Sequence, residues 1–159
     1  MRLMYTKPKL KNLSQGARIA FVRQFRLMSQ DSVSDELGLV GECKRRTMTR
    51  YERGDRNPKF ERVIKIASIL NVSVDAIKKY EYKNAIDIIY TLLWLEEIIP
   101  NYYISLKDVP NINDENVLII KKFLKEWDSI REKRRKREIS YDNYIEWKLN
   151  YKIESEFFK

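Results

Sequence analysis

One stretch, Thr47-Met-Thr-Arg-Tyr-Glu-Arg-Gly-Asp-Arg-Asn-Pro58, restricts the fold more than any other part of the chain. It joins a short amphipathic segment to a helix stop and to the signals that open a further helix. Met48 and Tyr51 are three residues apart, which puts both side chains on one helical face. Thr47, Thr49, Arg50 and Arg53 carry hydrogen-bond donors, and most of them fall on the other side. Gly54 supplies a left-handed stop, and Asn57-Pro58 offers a cap followed by a proline suited to a first helical position. Such a helix has one side to bury and one basic side to present.

The 159 residues leave room for one domain of ordinary size or two small ones, and a hydrophobic fraction of 43% is enough for a packed core. The formal charge of +9 is unevenly placed. Residues 1–82 hold 18 Lys and Arg against 9 Asp and Glu, whereas residues 83–159 hold 14 of each sign. All the excess positive charge therefore lies in the half that contains the basic helix, as expected of a nucleic-acid reader joined to a neutral module.

Several chemistries are excluded. A single cysteine, Cys43, forms no intramolecular disulfide and no multi-cysteine zinc site, and the absence of histidine removes imidazole bases and zincin motifs. Carboxylates are scattered, with Glu96 and Glu97 expected on different faces of a helix. No spacing suggests a metal cage, an acid/base pair or a phosphate-cradling glycine loop. No cofactor, metal or enzymatic activity is expected. Met1-Arg-Leu-Met-Tyr-Thr-Lys-Pro8 is too polar for a secretory leader, and the apolar run Ile86–Ile99 is too short to span a bilayer and carries Asp87, Glu96 and Glu97. The expectation is a soluble, cytoplasmic protein without a membrane partner.

Periodicity predicts three regions: a basic arm over 1–13, a compact helical domain over 14–82, and a second helical region over 84–159. In the arm, Arg2, Lys7, Lys9 and Lys11 follow no helical period. Such a segment can follow a minor groove or a phosphate backbone, or remain a disordered terminus. Ser14 caps a first helix with Ala17, Ile19, Val22 and Phe25 inward, and Ser29 caps a second with Val33 and Leu37 inward, ended by Gly38. A third helix runs from about Lys44 or Arg45 to Arg53. A fourth opens at Pro58 with Val63, Ile66, Ala67 and Leu70 on one face, and Ser73 caps a fifth with Val74, Ile77 and Tyr80 buried. Five short helices, the second and third joined by a turn, make a compact all-α domain.

Taken together, Gly16-Ala-Arg-Ile19, Arg23, Met28-Ser-Gln30, Leu37-Gly38, Thr47-Met-Thr-Arg-Tyr-Glu-Arg-Gly54, Asn57-Pro58, Ile64-Lys-Ile-Ala67 and Leu70-Asn-Val-Ser73 resemble the Cro/cI-type (XRE-type) helix-turn-helix family. The resemblance covers roughly residues 14–80. It implies a five-helix, lambda-repressor-like DNA-binding domain that usually works as a dimer on a palindromic double-stranded operator. One departure stands out. The path from Leu37-Gly38 to Tyr51 is about four residues longer than in most members. Either the turn bulges or the third helix gains a turn at its start, and the two options place Lys44, Arg45 and Arg46 differently.

On that fold the candidate DNA-binding residues are Gln30, Lys44, Arg45, Arg46, Thr47, Thr49, Arg50, Arg53, Arg56 and Lys59. Arg45, Arg46, Thr49 and Arg50 are expected at base edges, since the arginine fork matches guanine O6 and N7. Arg53, Arg56 and Lys59 follow the helix and suit phosphates, against the alternative of plain solvated charge. Gln30 resembles the family's glutamine that touches the DNA backbone and braces the reader helix, next to helix-end amides that favour a phosphate. Arg23 and Glu52 match the family's internal ion pair between the first and third helices, a structural role. Tyr51 is read as a packing residue with its hydroxyl near a phosphate. Cys43 lies beside Lys44, Arg45 and Arg46, which favour a thiolate; a redox role is weighed there against an incidental turn cysteine.

In the second half, Ile86, Ile89, Tyr90, Leu92, Leu93, Trp94 and Leu95 predict a mostly buried helix ended by Pro100. Tyr102–Lys107 is β-prone and suits one arm of a short hairpin, with its partner in 109–113 or 116–120. Asp114 caps a long helix with Val117, Ile120, Leu124, Trp127 and Ile130 inward, running into the basic cluster 131–137. Ser140 caps a last helix with Tyr144, Trp147 and Tyr151. Glu126, Asp128, Glu132 and Glu138 around that cluster favour a salt-bridged, solvated face over a second nucleic-acid site. The aromatic positions favour core or a homodimer interface over a ligand pocket, with the interface preferred. The arrangement is loosely similar to the C-terminal part of regulators of the same family on mobile elements of low-GC Gram-positive bacteria.

The combined expectation is a transcriptional regulator, a repressor of phage or mobile-element type, whose residues 84–159 dimerise or bind a protein partner. Two other readings stay open at the level of sequence. One is an interaction module such as a phage-encoded inhibitor of a host defence nuclease, with or without autorepression. The other is an antitoxin whose second half wraps a toxin.

Overall fold

The computed structural model describes residues 7–42, 44–99, 104, 109 and 113–154. The described residues form eight helices and no strand: α1 (Gln15–Phe25), α2 (Gln30–Glu36), α3 (Lys44–Arg53), α4 (Phe60–Leu70), α5 (Val74–Ile77), α6 (Ala85–Ile98), α7 (Glu115–Arg135) and α8 (Tyr141–Leu149). None of them is long and apolar enough to cross a membrane. Contacts gather the chain into two units, one up to Lys79 and one from Tyr80.

In the first unit, local chemistry sets the helix starts. The Ser14, Ser29 and Ser73 hydroxyls accept from the backbone amides of Ala17, Ser32 and Asp75, each satisfying a donor that a helix N-terminus leaves open. Ile19, Val22, Val33, Met48, Ile66, Leu70 and Ile77 then close one core. Each such side chain contributes roughly 1.5–3 kcal/mol through burial. A Cβ on Gly16 would run into the Tyr51 carbonyl oxygen and lie 2.8 Å from that of Glu52. The backbones of α1 and α3 therefore touch there, an approach that only glycine permits.

One buried and one half-buried cation complete the frame. Arg18, only 2% exposed, donates to the carbonyls of Leu13 (3.3 Å), Ala76 (2.9 Å) and Lys78 (2.8 Å), clipping α1 to the C-terminal end of α5. Arg26 donates to the carbonyls of Leu70 (2.7 Å) and Asn71 (2.9 Å), where α4 leaves acceptors unfilled.

The expected opening of α4 at Asn57-Pro58 is not what forms. The helix starts at Phe60, and the Lys59 carbonyl is its first acceptor, 2.9 Å from the Arg62 amide and 3.0 Å from that of Val63. Proline fixes only its own φ, so Pro58 can lead an extended entry as easily as a first turn. The extra length after Gly38 lies in the turn: α2 ends at Glu36 and α3 starts at Lys44. Gly38 (φ 75°) and Gly41 (φ 87°) bracket Leu39 and Val40 in left-handed conformations. Cys43 lies outside the described residues, as do residues 1–6 of the basic arm.

Leu27 ends α1 at φ 56°, with its amide 2.9 Å from the Gln24 carbonyl, and its side chain is 77% exposed. A leucine there bears left-handed strain and buries little. Leu27→Gly should stabilise the first unit by about 1 kcal/mol. Urea unfolding followed by circular dichroism checks this, and an unchanged or lower midpoint contradicts it.

In the second unit, the Asp114 and Ser140 side chains cap α7 and α8 through the amides of Val117 and Asn143. Asn84 makes no side-chain cap at α6; instead Asn116 Oδ1 accepts from the Ala85 amide at 3.2 Å. The core is aromatic. Phe123 stacks on Trp127 with centroids 5.2 Å apart and meets the Tyr151 ring edge-on at 5.2 Å, while the Tyr90 hydroxyl donates to the Tyr151 carbonyl at 2.7 Å.

Several expectations need correction here. The buried residues of α7 are Ile119, Phe123, Leu124 and Trp127, whereas Val117, Ile120 and Ile130 are half-buried. On α6, Leu92 and Leu95 are likewise half-buried. The hairpin segment 102–107 lies outside the described residues apart from Ile104, and one proposed partner, 116–120, belongs to α7. Glu96 and Glu97 do not diverge. Both carboxylates reach the Lys148 ammonium, at 2.6 and 2.7 Å.

Candidate nucleic-acid interface

Helix α3 buries Met48 and Tyr51 and exposes Arg45, Arg46, Arg50 and Arg53. At 100° per residue, positions 45, 46, 49, 50 and 53 fall within an arc of about 140°, opposite the buried pair. Gly54, at φ 81°, ends the helix, and the Asp55 amide returns to the Arg50 carbonyl at 3.0 Å.

A hydrogen-bonded chain fixes this helix from behind. Arg23 grips Glu52 with two prongs, Nε to Oε1 at 2.5 Å and Nη2 to Oε2 at 3.0 Å, and its Nη1 donates to the Met28 carbonyl at 2.8 Å. Both side chains are largely buried, at 12% and 8% exposure. Gln30 extends the chain: its amide nitrogen donates to Glu52 Oε2 at 2.9 Å, and its amide oxygen accepts from the Thr49 hydroxyl at 3.0 Å. The same hydroxyl lies 3.1 Å from the Arg45 carbonyl. One network therefore links α1, the first residue of α2 and the second half of α3.

The expected contact residues separate into groups. The side chains of Arg45, Arg46 and Arg50 are exposed and make no hydrogen bond or ion pair to another described residue. Thr49 lies on the same arc, but its hydroxyl is turned to Gln30. Arg53 lies 3.5 Å from Asp55 in an exposed pair worth at most about 1 kcal/mol, which a phosphate can replace. Arg56 and Lys59 are exposed just beyond the helix.

Lys44 and Thr47 stand apart from that arc. The Lys44 ammonium meets Asp35 at 2.5 Å; this hydrogen bond, and then the carboxylate's charge, raise the lysine's pKa. The Ser34 hydroxyl donates to the Lys44 carbonyl at 3.1 Å, so Lys44 fastens the end of α2 to the start of α3. Thr47 is half-buried at the margin of the packed face.

Tyr51 is 4% exposed, and its hydroxyl accepts from Arg62 Nη1 at 3.3 Å. Arg62 and Ser34 were not foreseen as neighbours of the reader helix. Their partners are distant in sequence or on the backbone, and spacing gives no sign of either.

Beside this face lies an open cavity of about 850 Å³, lined by Lys9, Lys11, Ala17, Ala20, Gln30, Thr49 and Arg53 among others. A smaller one of about 380 Å³ lies between Arg23, Ser29, Gln30, Asp31 and Arg45. Neither has a ring of convergent polar groups around an enclosed apolar volume.

In comparison with known proteins, residues 22–77 match a family model described as helix-turn-helix. No curated protein and no solved structure matches the chain. The matched segment begins within α1 and ends with α5, so it contains α2, α3 and the Arg23–Gln30–Thr49–Glu52 network. Residues 22–77 are therefore a helix-turn-helix of the Cro/cI (XRE) type, the DNA-binding module of that family of regulators.

Proposed function

We propose that the chain is a sequence-specific, double-stranded-DNA-binding transcription regulator, a repressor of phage or mobile-element type, that reads the major groove with α3. The observation that carries this reading is the exposed arginine arc on a helix whose orientation is fixed by a buried network. Arginine forks on a helix of fixed pose suit guanine edges, since little rotational freedom of the helix is lost on docking. Arg45, Arg46 and Arg50 take base edges, with Thr49 beside them. Gln30, Arg53, Arg56 and Lys59 take phosphates. Lys44 keeps Asp35, and Thr47 supports packing.

A palindromic operator needs two copies of the reader. On α6 the half-exposed or exposed Ile88, Leu92 and Leu95 fall on one side and support pairing through the second unit.

The division of labour is tested by two variants on an enriched operator and on random duplex DNA. Arg50→Ala should reduce discrimination between them by roughly 10- to 100-fold, as expected for one good base contact. Arg56→Ala should weaken both complexes alike. Identical behaviour of the two variants on both DNAs refutes the assignment.

A further inference from the structure

The described part of the basic arm is laid on the domain instead of hanging from it. Lys7, Lys9 and Lys11 are exposed, whereas Pro8 and Leu10 are buried, Leu10 at 7% exposure. A period of two is the signature of extended chain with one side packed. Asn12 Oδ1 accepts from the Ser14 amide at 2.8 Å, which turns the segment into α1.

Lys9 and Lys11 thereby form one wall of the cavity of about 850 Å³, facing residues of α3 and the turn after it. Thr49 and Arg53 belong both to that lining and to the exposed arc, so the cavity is continuous with the reading face. Ala17 and Ala20 on α1 contribute small side chains to the lining. Its carboxylates are already engaged, Glu52 by Arg23 and Asp55 by Arg53. Lys9 and Lys11 form no ion pair with another described residue.

We propose that Lys9 and Lys11, held by the buried Pro8 and Leu10, bind the phosphodiester backbone of the DNA that α3 reads, with the strand passing along this cavity. The proposal rests on the DNA-reading role of α3 and extends its footprint onto a segment outside the matched helix-turn-helix. Phosphate, not a base, is the partner because an ammonium is a compact point charge without the planar fork that distinguishes base edges. Two lysines on alternate residues of an extended chain lie about 6.6 Å apart along it, close to the spacing of successive phosphates on one strand. Because the arm is already packed, binding does not have to order it.

The test uses the full chain in fluorescence anisotropy titrations across a range of salt. The probes are a duplex enriched from a random pool by this protein and a random duplex of equal length. Lys9→Ala/Lys11→Ala should weaken both complexes alike. It should also flatten the dependence of log affinity on log salt by about 0.9 per lysine in each bound protomer. Lys9→Arg/Lys11→Arg should restore the slope, and Leu10→Ser, which unpins the arm but keeps both charges, should weaken binding.

An unchanged slope in the alanine double variant overturns the arm proposal, whatever the wild type does on the enriched duplex. Equal wild-type affinity for enriched and random DNA overturns sequence-specific reading instead, while the slope on random duplex still decides the arm. No DNA binding by the wild type overturns both.

Discussion

Lys148→Met should destabilise the second unit by about 3–5 kcal/mol, the cost of stranding one side of a buried ion pair. Lys148 is 4% exposed, and its ammonium joins Glu96, Glu97 and the Leu93 carbonyl at 2.6, 2.7 and 3.3 Å. Without it Glu96 keeps Arg131 at 3.1 Å and the Tyr144 hydroxyl at 2.6 Å, but Glu97 is left with the Tyr141 hydroxyl at 3.4 Å. Burial, and then the Glu96 carboxylate, raise the Tyr144 pKa, so this hydroxyl remains a neutral donor and supplies no charge. All three tryptophans, Trp94, Trp127 and Trp147, lie in the second unit, so tryptophan fluorescence follows its unfolding alone. A loss of about 3 kcal/mol in a unit of this size lowers the thermal midpoint by well over about 10 °C. Glu97→Gln added to Lys148→Met should recover part of it. A single variant that melts with the wild type would falsify the view that this cluster holds α6, α7 and α8 together.

A change of similar size is expected in the first unit from Glu52→Ala, with a second effect on DNA. The substitution leaves the Arg23 guanidinium buried without its carboxylate, at a cost of about 3–5 kcal/mol. It also removes the acceptor for the Gln30 amide, and Gln30 in turn positions the Thr49 hydroxyl. A packing residue alone would cost stability and leave discrimination intact in the molecules that stay folded. Glu52→Ala should instead lose both. Arg23→Lys is the companion variant, because lysine keeps the charge but not the two-pronged grip. Circular dichroism gives the stability, and affinities for enriched and random duplex, corrected for the folded fraction, give the discrimination. Unaltered discrimination in the folded fraction means that the network does not orient the reader.

The parts of the fold legible in sequence are those decided within one turn of the chain. Ser14, Ser29, Ser73, Asp114 and Ser140 cap helices because a short side chain accepts from an amide two or three residues on. Gly54 ends α3 for an equally local reason. Choices settled by distant partners were harder to read. Helix α7 has apolar residues at 117–120, 123, 124, 127 and 130, more than one face can hold, so its neighbours select Ile119 and Phe123 for burial. Glu96 and Glu97 begin about 100° apart on α6. They meet only because the long Lys148 side chain enters between them from a helix some fifty residues later. In the candidate site, residue types and spacing marked the arginine arc. They did not show that the Thr49 hydroxyl faces Gln30, that Lys44 is engaged by Asp35, or that Lys9 and Lys11 border the same face. Those facts depend on where separate helices come to rest.

The network behind α3 also bears on how such a protein can diversify. Glu52, Arg23 and Gln30 set the pose of the helix, while the side chains at 45, 46 and 50 carry no structural bond to another described residue. Those three positions can vary through single-codon steps at little cost to folding, so under the proposed reading new target sequences are reachable without passing through unfolded ancestors. Changes at the network positions have no such freedom. Divergence within a lineage of these proteins would therefore accumulate first on the exposed arc, and copies with unlike targets would still share the same scaffold.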